Sequence, residues 1–299
     1  MLSCRIPGQE SAPGRSCCRL SAVHRGGGGR RRRYPSDTTD AQWAVIDPLL
    51  PDPVWLGVQG GRPEEHCRRA IVDAIFYLVD NGIKWRAMPA DFPPWSTVYN
   101  FFTLWQADGV TTDILGILRE RVRLVEGRTA TPTAAIIDSQ SVKAAETVWR
   151  SSRGWDAAKK INGRKRHIAV DTIGLLICVL VTAANVQDRD GARPLLEKLA
   201  AVCGRVRLAW ADGGYAGKLV EWARDTLHLR IQIVKRSDDQ TGFVVLPRRW
   251  VVERTLAWIT RHRRCARDYE ALPAHHEAMV CWAMIRITSR RLATKPNRP

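Results

Sequence analysis

The chain has 299 residues, 45% of them hydrophobic, which is enough to bury one large core or two modest ones. Lysine and arginine total 47 against 30 acidic residues, so the net charge of +17 indicates a polyanionic partner such as nucleic acid. The longest strongly apolar run, Ile173 to Asn185, is too short to span a membrane. The eight cysteines form no C-x-x-C pair, which disfavours a zinc knuckle and fits reduced thiols in the cytoplasm.

Residues 1–33 are expected to form a disordered basic arm. They mix Gly, Ser, Pro and Arg, carry eight arginines and one glutamate, and show no apolar periodicity. The arginines are followed by no apolar segment of the kind found in a signal peptide. Two interpretations stay open, a basic tether for DNA and an upstream extension without a specific role. The rest of the chain remains basic without this arm.

Residues 34–127 are predicted to form a helical N-terminal domain. The expected helices are one capped by Asp40, one from about Pro63 to Asn81, one capped by Ser96, and one from about Thr112 to Val125. Short helices with tight Gly and Pro joints suggest a helix-turn-helix-like module in which Thr97, Tyr99 and Asn100 touch DNA. A plain helical bundle that supports the next domain is the open alternative.

The catalytic domain is expected at 128–292, followed by a tail at 293–299. Its apolar pattern predicts these elements in order: strands 134–138, 166–171 and 175–182, helix 192–202, strand 206–211, helix 218–227, strand 230–234 and helix 248–264. The run from Asp171 to Gly174 predicts a hairpin turn. A hairpin followed by strand–helix alternation indicates an α/β fold, a mixed sheet flanked by helices.

Three acidic residues are the strongest candidates for chemistry. Asp138 and Asp212 each end an apolar run, and Glu253 lies on the arginine-rich last predicted helix. Carboxylates in this arrangement suit two Mg²⁺ ions that clamp the attacking and leaving oxygens of a phosphoryl transfer. Each acid also has an ordinary interpretation: Asp212 before two glycines forms turns, and Glu253 on a helix pairs with arginine. The set of three favours the metal site.

Other charged residues are assigned by their setting. Asp171 is explained by the hairpin turn, and Asp188 and Asp190 by capping the helix at 192. Basic side chains near the acids are expected to contact DNA phosphates, although a solvated loop is the alternative for those at 159–167 and packing is the alternative for His167. The candidate DNA-binding residues are Lys143, Arg164, Lys165, Arg166, His167, Arg249, Arg254 and Arg261.

Four stretches carry a resemblance to a known family. They are Ile136 to Lys143 (IIDSQSVK), Gly163 to His167 (GRKRH), Ala211 to Tyr215 (ADGGY) and Val252 to Trp258 (VERTLAW). They resemble bacterial insertion-sequence transposases of the DDE type, in the insertion-sequence-five group of the insertion-sequence-four-like superfamily. The stretches from Ser36 to Trp43 and from Trp95 to Asn100 resemble the helical N-terminal region of that group.

The resemblance implies a ribonuclease-H-like catalytic fold, with Asp138, Asp212 and Glu253 as the catalytic, metal-binding triad for Mg²⁺ or Mn²⁺. It implies cleavage at element ends and joining of 3′-OH ends to target DNA. The expected partners are double-stranded DNA, with its terminal inverted repeats and target, and a second subunit in a homodimer. The location implied is the nucleoid, with no membrane partner. A metal-dependent nuclease or resolvase and an inactive DNA-binding remnant are the alternatives.

The chain departs from the superfamily at one motif. The family pattern places tyrosine, arginine, glutamate and lysine where this chain has Leu246, Arg249, Glu253 and Thr260. Only the arginine and the glutamate match, and Arg261 is the candidate substitute for the lysine. The accessory DNA contacts therefore need separate tests.

Overall fold

The computed structural model describes residues 32–56, 60, 62–234 and 250–294. Its first part is helical, as predicted, and consists of α1 (Asp40–Ile46), α2 (Arg68–Asn81), α3 (Trp95–Ala107) and α4 (Val110–Val125). Most of the predicted basic arm, residues 1–31, lies outside the described residues. Arg33 belongs to the described part, where its backbone N–H donates to Asp37 at 2.8 Å.

Three predicted helix starts are corrected. Thr39, not Asp40, caps α1, because its hydroxyl accepts from the Gln42 N–H in a reciprocal capping box. The second helix begins at Arg68, five residues after Pro63, and α3 begins at Trp95, so that Ser96 is inside the helix rather than at its cap. The predicted end of α2 is confirmed, since Gly82 there adopts the left-handed conformation with φ of 70°.

The second part contains one mixed sheet. Its strands are β1 (Ala134–Lys143), β2 (Gly154–Asp156), β3 (Ile161–Asp171), β4 (Leu176–Ala183), β5 (Leu208–Ala211) and β6 (Arg230–Ile233). The order is β2-β3-β1-β5-β6, and β4 also pairs with β3. β3 is antiparallel to both of its neighbours β1 and β4, whereas β5 is parallel to β1 and β6 is parallel to β5. The predicted mixed α/β architecture and the turn at Asp171–Gly174 are confirmed.

The helices of this part are α5 (Asp188–Val202), α6 (Lys218–Leu227), α7 (Trp250–Arg261) and α8 (Pro273–Thr294). α6 has the predicted bounds, whereas α5 begins four residues earlier than predicted. Residues 248 and 249 of the last predicted helix lie outside the described residues. β2 and α8 were not predicted, and α8 packs closely against α1, α2 and α4.

Two hydrophobic cores lie on opposite faces of the sheet. The first joins the amino-terminal helices, α7 and α8 to residues such as Ile136 and Ile168. The second joins α5 and α6 to Ala135 and Ile137, which point the other way because side chains alternate along a strand. The amino-terminal helices thus share a core with the sheet, and division of the chain near residue 128 stays a prediction.

One predicted DNA contact in the amino-terminal helices is instead a packing residue. The Tyr99 ring is half-buried and packs edge-on against Trp85 at 5.0 Å and His275 at 5.9 Å between centroids. The helical-bundle interpretation therefore accounts for Tyr99. In the described part of the chain, no helix is long and apolar enough to cross a membrane, and the cysteines there are buried free thiols.

Candidate active site

Asp138 and Asp212 lie on neighbouring strands. In the parallel β1–β5 pair Ile136 is opposite Trp210, so two further residues bring Asp138 level with Asp212, which directly follows β5. Neighbouring strands are about 4.8 Å apart, and residues two apart share a face. Asp138 lies within its strand rather than at the end, because β1 continues to Lys143.

Backbone amides orient both carboxylates. The Ser139 N–H donates to Asp138 Oδ1 at 2.7 Å. Asp212 is the N-cap of a short 3-10 turn, Gly213–Tyr215, and its Oδ1 accepts from the Gly214 N–H at 2.9 Å. The turn-forming interpretation of Asp212 is therefore correct, and it is compatible with a ligand role because a cap holds the carboxylate in place.

Tyr215 lies near these carboxylates, in the second core, and the sequence did not predict it as a site residue. Its side chain is 1% exposed. Burial raises the pKa of Tyr215 well above its usual value, and the negative charges of Asp138, Asp188 and Asp212 raise it further. The phenol therefore remains protonated and can donate a hydrogen bond. Its position directly after Asp212-Gly213-Gly214 is the signal that could have identified it.

Asp188 is part of this neighbourhood and is not the helix cap that was predicted. It is the first residue of α5, whose N-cap is Gln187. Its Oδ1 accepts from the Ser139 hydroxyl at 2.7 Å and lies 2.8 Å from Lys165 Nζ. Burial alone would raise the pKa of Asp188, but the hydrogen bonds from Lys165 and Ser139 outweigh it and hold the pKa below its usual range.

Glu253 is carried by α7, which covers the sheet face to which Asp138 belongs. Val252 and Leu256 of α7 share the first core with Ile136, two residues before Asp138. The glutamate itself is exposed. The structure therefore brings Asp138 and Asp212 side by side and places Glu253 on the adjoining helix.

The three carboxylates are chemically suited to bind a divalent metal ion, although the structure does not bring all three together around one position. Among the described residues, no three His, Cys, Asp or Glu side chains are grouped so as to hold a metal ion. Carboxylate oxygens on adjacent strands are nevertheless the ligands that hard divalent cations prefer. Binding would require Glu253 to approach the Asp138–Asp212 pair.

Arg164 and Arg166 are internal structural residues, which corrects their predicted contact with DNA. Both are 0% exposed on β3. Arg164 forms a 3.0 Å ion pair with Asp268 and donates to the carbonyl oxygens of Glu270 and Ala271. Arg166 donates to the Cys265 carbonyl oxygen at 2.9 Å. They therefore attach the segment after α7 to the sheet.

Lys165 and His167 are also buried, on the opposite face of β3, which corrects the predicted phosphate contact of Lys165 and favours packing over phosphate contact for His167. Lys165 Nζ is bound by Asp188 and donates to the Val186 carbonyl oxygen at 2.8 Å. His167 Nε2 lies 3.0 Å from the Thr182 hydroxyl. Gly191 of α5 lies against the imidazole, where a Cβ would come within 2.2 Å of the ring. The glycine thus permits close helix–sheet packing.

His167 is expected to make the protein less stable as the pH falls from 6.5 to about 4. Burial lowers the pKa of His167 from 6.5 to about 4. The unfolded chain therefore takes up this proton at higher pH than the folded chain, so the stability contribution is complete above pH 6.5 and is lost on acidification. Urea unfolding of His167→Gln should show a shallower decline in this window than the parent. Parallel curves for the two proteins would contradict this prediction.

The remaining candidate DNA-binding residues differ in accessibility. Lys143 and Arg261 are exposed. Arg254 is half-buried between the rings of Trp250 and Trp258, 4.4 and 4.6 Å from their centroids, and donates to the Ile173 carbonyl oxygen. Arg249 lies outside the described residues. Lys143 and Arg261 thus remain the accessible cations among these candidates in the described part of the chain.

Comparison with protein families gives two matches. Residues 129–287, the part that contains the sheet, α7 and most of α8, match the transposase DDE domain. Residues 38–115, which cover α1 to α3 and the start of α4, match a candidate transposase of the IS4/5 family. The two matches correspond to the two parts of the chain whose motifs carry the resemblance.

Two proteins of one insertion element agree with these matches. A candidate transposase for insertion sequence element IS402 of Burkholderia cepacia is 30% identical over 144 residues, which are 44% of this chain and 68% of that protein. A 16.2 kDa uncharacterized protein of the same element is 29% identical over 107 residues, 35% of this chain and 71% of that protein. The solved Drosophila P element transposase strand transfer complex aligns with 66% of this chain and 45% of that chain, at 16% identity and a TM-score of 0.30. The chain belongs to the family of DDE transposases of bacterial insertion sequences.

Proposed function

We propose that this transposase cuts DNA at the ends of its element and joins the 3′-OH ends to target DNA, with Asp138, Asp212 and Glu253 as ligands of two Mg²⁺ or Mn²⁺ ions. The observation that supports this most directly is the alignment of Asp138 with Asp212, beneath the helix that carries Glu253. This arrangement lies inside the segment that matches the DDE domain.

The DDE domain implies dependence on divalent metal. Such ions, when bound, supply positive charge to the attacking and leaving oxygens of an in-line displacement. The chain's own residues hold and orient the reacting groups. The amides of Ser139 and Gly214 fix one oxygen of Asp138 and Asp212, respectively. Lys143 and Arg261 are the exposed cations that would contact phosphates.

The proposed reaction has two balanced steps. In the first, water attacks a phosphorus atom at the element end, the P–O3′ bond breaks, and a 3′-OH and a 5′-phosphate result. In the second, that 3′-oxygen attacks a phosphodiester of the target, whose own 3′-oxygen leaves and takes up the proton. One phosphodiester bond forms as another breaks, so no external energy source is needed. The chain itself forms no covalent bond to DNA.

The proposed partners are double-stranded DNA, both as terminal inverted repeats and as target, and a second copy of the chain. Two element ends must meet for joining, which favours a homodimer in the DNA complex. Such a complex would reside on the nucleoid. The positive charge of the whole chain favours a polyanion of this kind.

A strand-transfer assay tests the proposal. The purified chain is incubated with end-labelled DNA that carries its own gene and flanking sequence, a target plasmid and Mg²⁺. Cleaved ends joined to the plasmid are expected. Cleavage without joined product would favour a nuclease or resolvase, and binding without cleavage would favour an inactive remnant. Omission of the metal should abolish both products.

A further inference from the structure

The segment between β1 and β3 displays two tryptophans and three cations on the surface. The indoles of Trp149 and Trp155 are 57% and 54% exposed. Arg150, Lys159 and Lys160, within the same 12 residues, are also exposed. These five residues are called the Trp–Lys surface. Exposed indoles are unusual, because a tryptophan buries 150–250 Å² when it packs.

The backbone that displays these side chains is firmly anchored. Val148, next to Trp149, is 1% exposed. Asp156, next to Trp155, is buried, accepts from the Ser141 hydroxyl at 2.5 Å and accepts from the Lys159 N–H at 3.0 Å. The indoles are therefore held outward by a structured loop and a short strand, and binding to them needs little ordering.

Trp155 of the Trp–Lys surface lies beyond the end of β1, on the sheet face that carries Asp138. Trp155 is opposite Asn162, and the Asn162 carbonyl accepts a hydrogen bond from the Ala144 N–H. Trp155 is therefore level with Ala144, which lies six residues after Asp138 in the direction of β1. At about 3.3 Å per residue the separation is about 20 Å. That distance equals about six base pairs of B-DNA at 3.4 Å each.

We propose that the Trp–Lys surface binds a DNA strand with unpaired bases about 20 Å from the cut site, the indoles stacking on bases and the cations contacting phosphates. This rests on the proposed function, because it places the DNA relative to Asp138. Indoles stack on bases of any sequence, and interleaved basic residues follow the phosphates. The local charge is complementary to DNA, because the three cations are exposed and the exposed acid Glu146 is paired with Arg153.

Equilibrium binding without metal tests this proposal independently of catalysis. The probes are a 30-base-pair duplex and the same duplex with a six-nucleotide single-stranded overhang, both titrated in EDTA. The parent should prefer the overhang, and Trp149→Ala with Trp155→Ala should weaken overhang binding by about fivefold or more per indole while blunt binding is unchanged. Phenylalanine at both positions should retain most of the preference.

The cations are tested by salt dependence. Lys159→Gln with Lys160→Gln should reduce the slope of log K against log salt by about 1.4 to 1.8, the contribution of two phosphates. Arg121→Gln with Arg205→Gln removes two exposed charges elsewhere and should leave the slope unchanged. Leu124→Ala with Val125→Ala removes apolar groups that are 59% and 40% exposed and serves as the control for the tryptophans.

Several outcomes would overturn the proposal. Unchanged overhang binding by the alanine variant, an equal loss on both probes, or an effect of the control pairs as large as that of the test pairs would each do so. Loss of self-association in sedimentation, with the overhang preference intact, would assign the surface to a second copy of the chain. If the alanine variant does not fold, the proposal is tested by the Lys159→Gln, Lys160→Gln variant and by the variant with phenylalanine at both tryptophan positions. A chain that shows the preference but joins no DNA would contradict the proposed function alone.

Discussion

Asp138→Asn, Asp212→Asn and Glu253→Gln should each reduce metal-dependent cleavage by at least about a hundredfold to a thousandfold, the range seen when one transition-state-stabilising group is removed. Each amide preserves the shape of the side chain but removes the negative charge that a divalent cation requires. Cleavage is measured on labelled element ends, and DNA affinity is measured separately in EDTA. Affinity should remain close to that of the parent.

Asp225→Asn is a suitable control for these substitutions. Asp225 is on α6, its side chain is 63% exposed, and its partner is the neighbouring Arg224. It should cut as well as the parent. Near-normal cleavage by any one of the three test variants would remove that residue from the site, and loss of folding in circular dichroism would show a structural role instead.

Arg164→Met should lower the free energy of unfolding by about 3–5 kcal/mol, the usual effect of removing one partner from a buried ion pair. Asp268 would be left at 0% exposure without the Arg164 guanidinium, and the carbonyls of Glu270 and Ala271 would lose their donors. The measurement is urea unfolding followed by fluorescence. A double-mutant cycle with Asp268→Asn should show that the two losses are not additive.

Lys143→Met is the matched control for Arg164→Met. Both residues are cations in the same pair of strands, but Lys143 is exposed, so its substitution should change stability by less than about 0.5 kcal/mol. A variant Arg164→Met that is as stable as the parent but binds DNA more weakly would contradict the internal role of Arg164. It would instead support the phosphate contact predicted from the sequence.

Local patterns in the sequence determined many of the elements correctly. α6 has its predicted bounds, Gly82 ends α2, and the turn at Asp171–Gly174 joins two antiparallel strands. These features depend on side-chain periodicity and on the backbone preferences of a few residues, which short stretches of sequence contain. The family could also be predicted from the sequence, because its motifs are contiguous stretches, and the DDE domain match confirms that prediction.

Only the tertiary structure decided which charged side chains are buried and which residues pair with them. The basic run at 159–167 is predicted from the sequence to contact DNA phosphates, yet most of it lies in β3, which begins at Ile161, and Arg164 is neutralised by Asp268, 104 residues away in the chain. Asp188 similarly bonds Ser139, 49 residues distant, instead of capping α5. A charged side chain is buried only when partners from other elements surround it, and no local pattern records those partners. The same packing leaves Trp149 and Trp155 exposed, although large apolar side chains of this type are expected in a core.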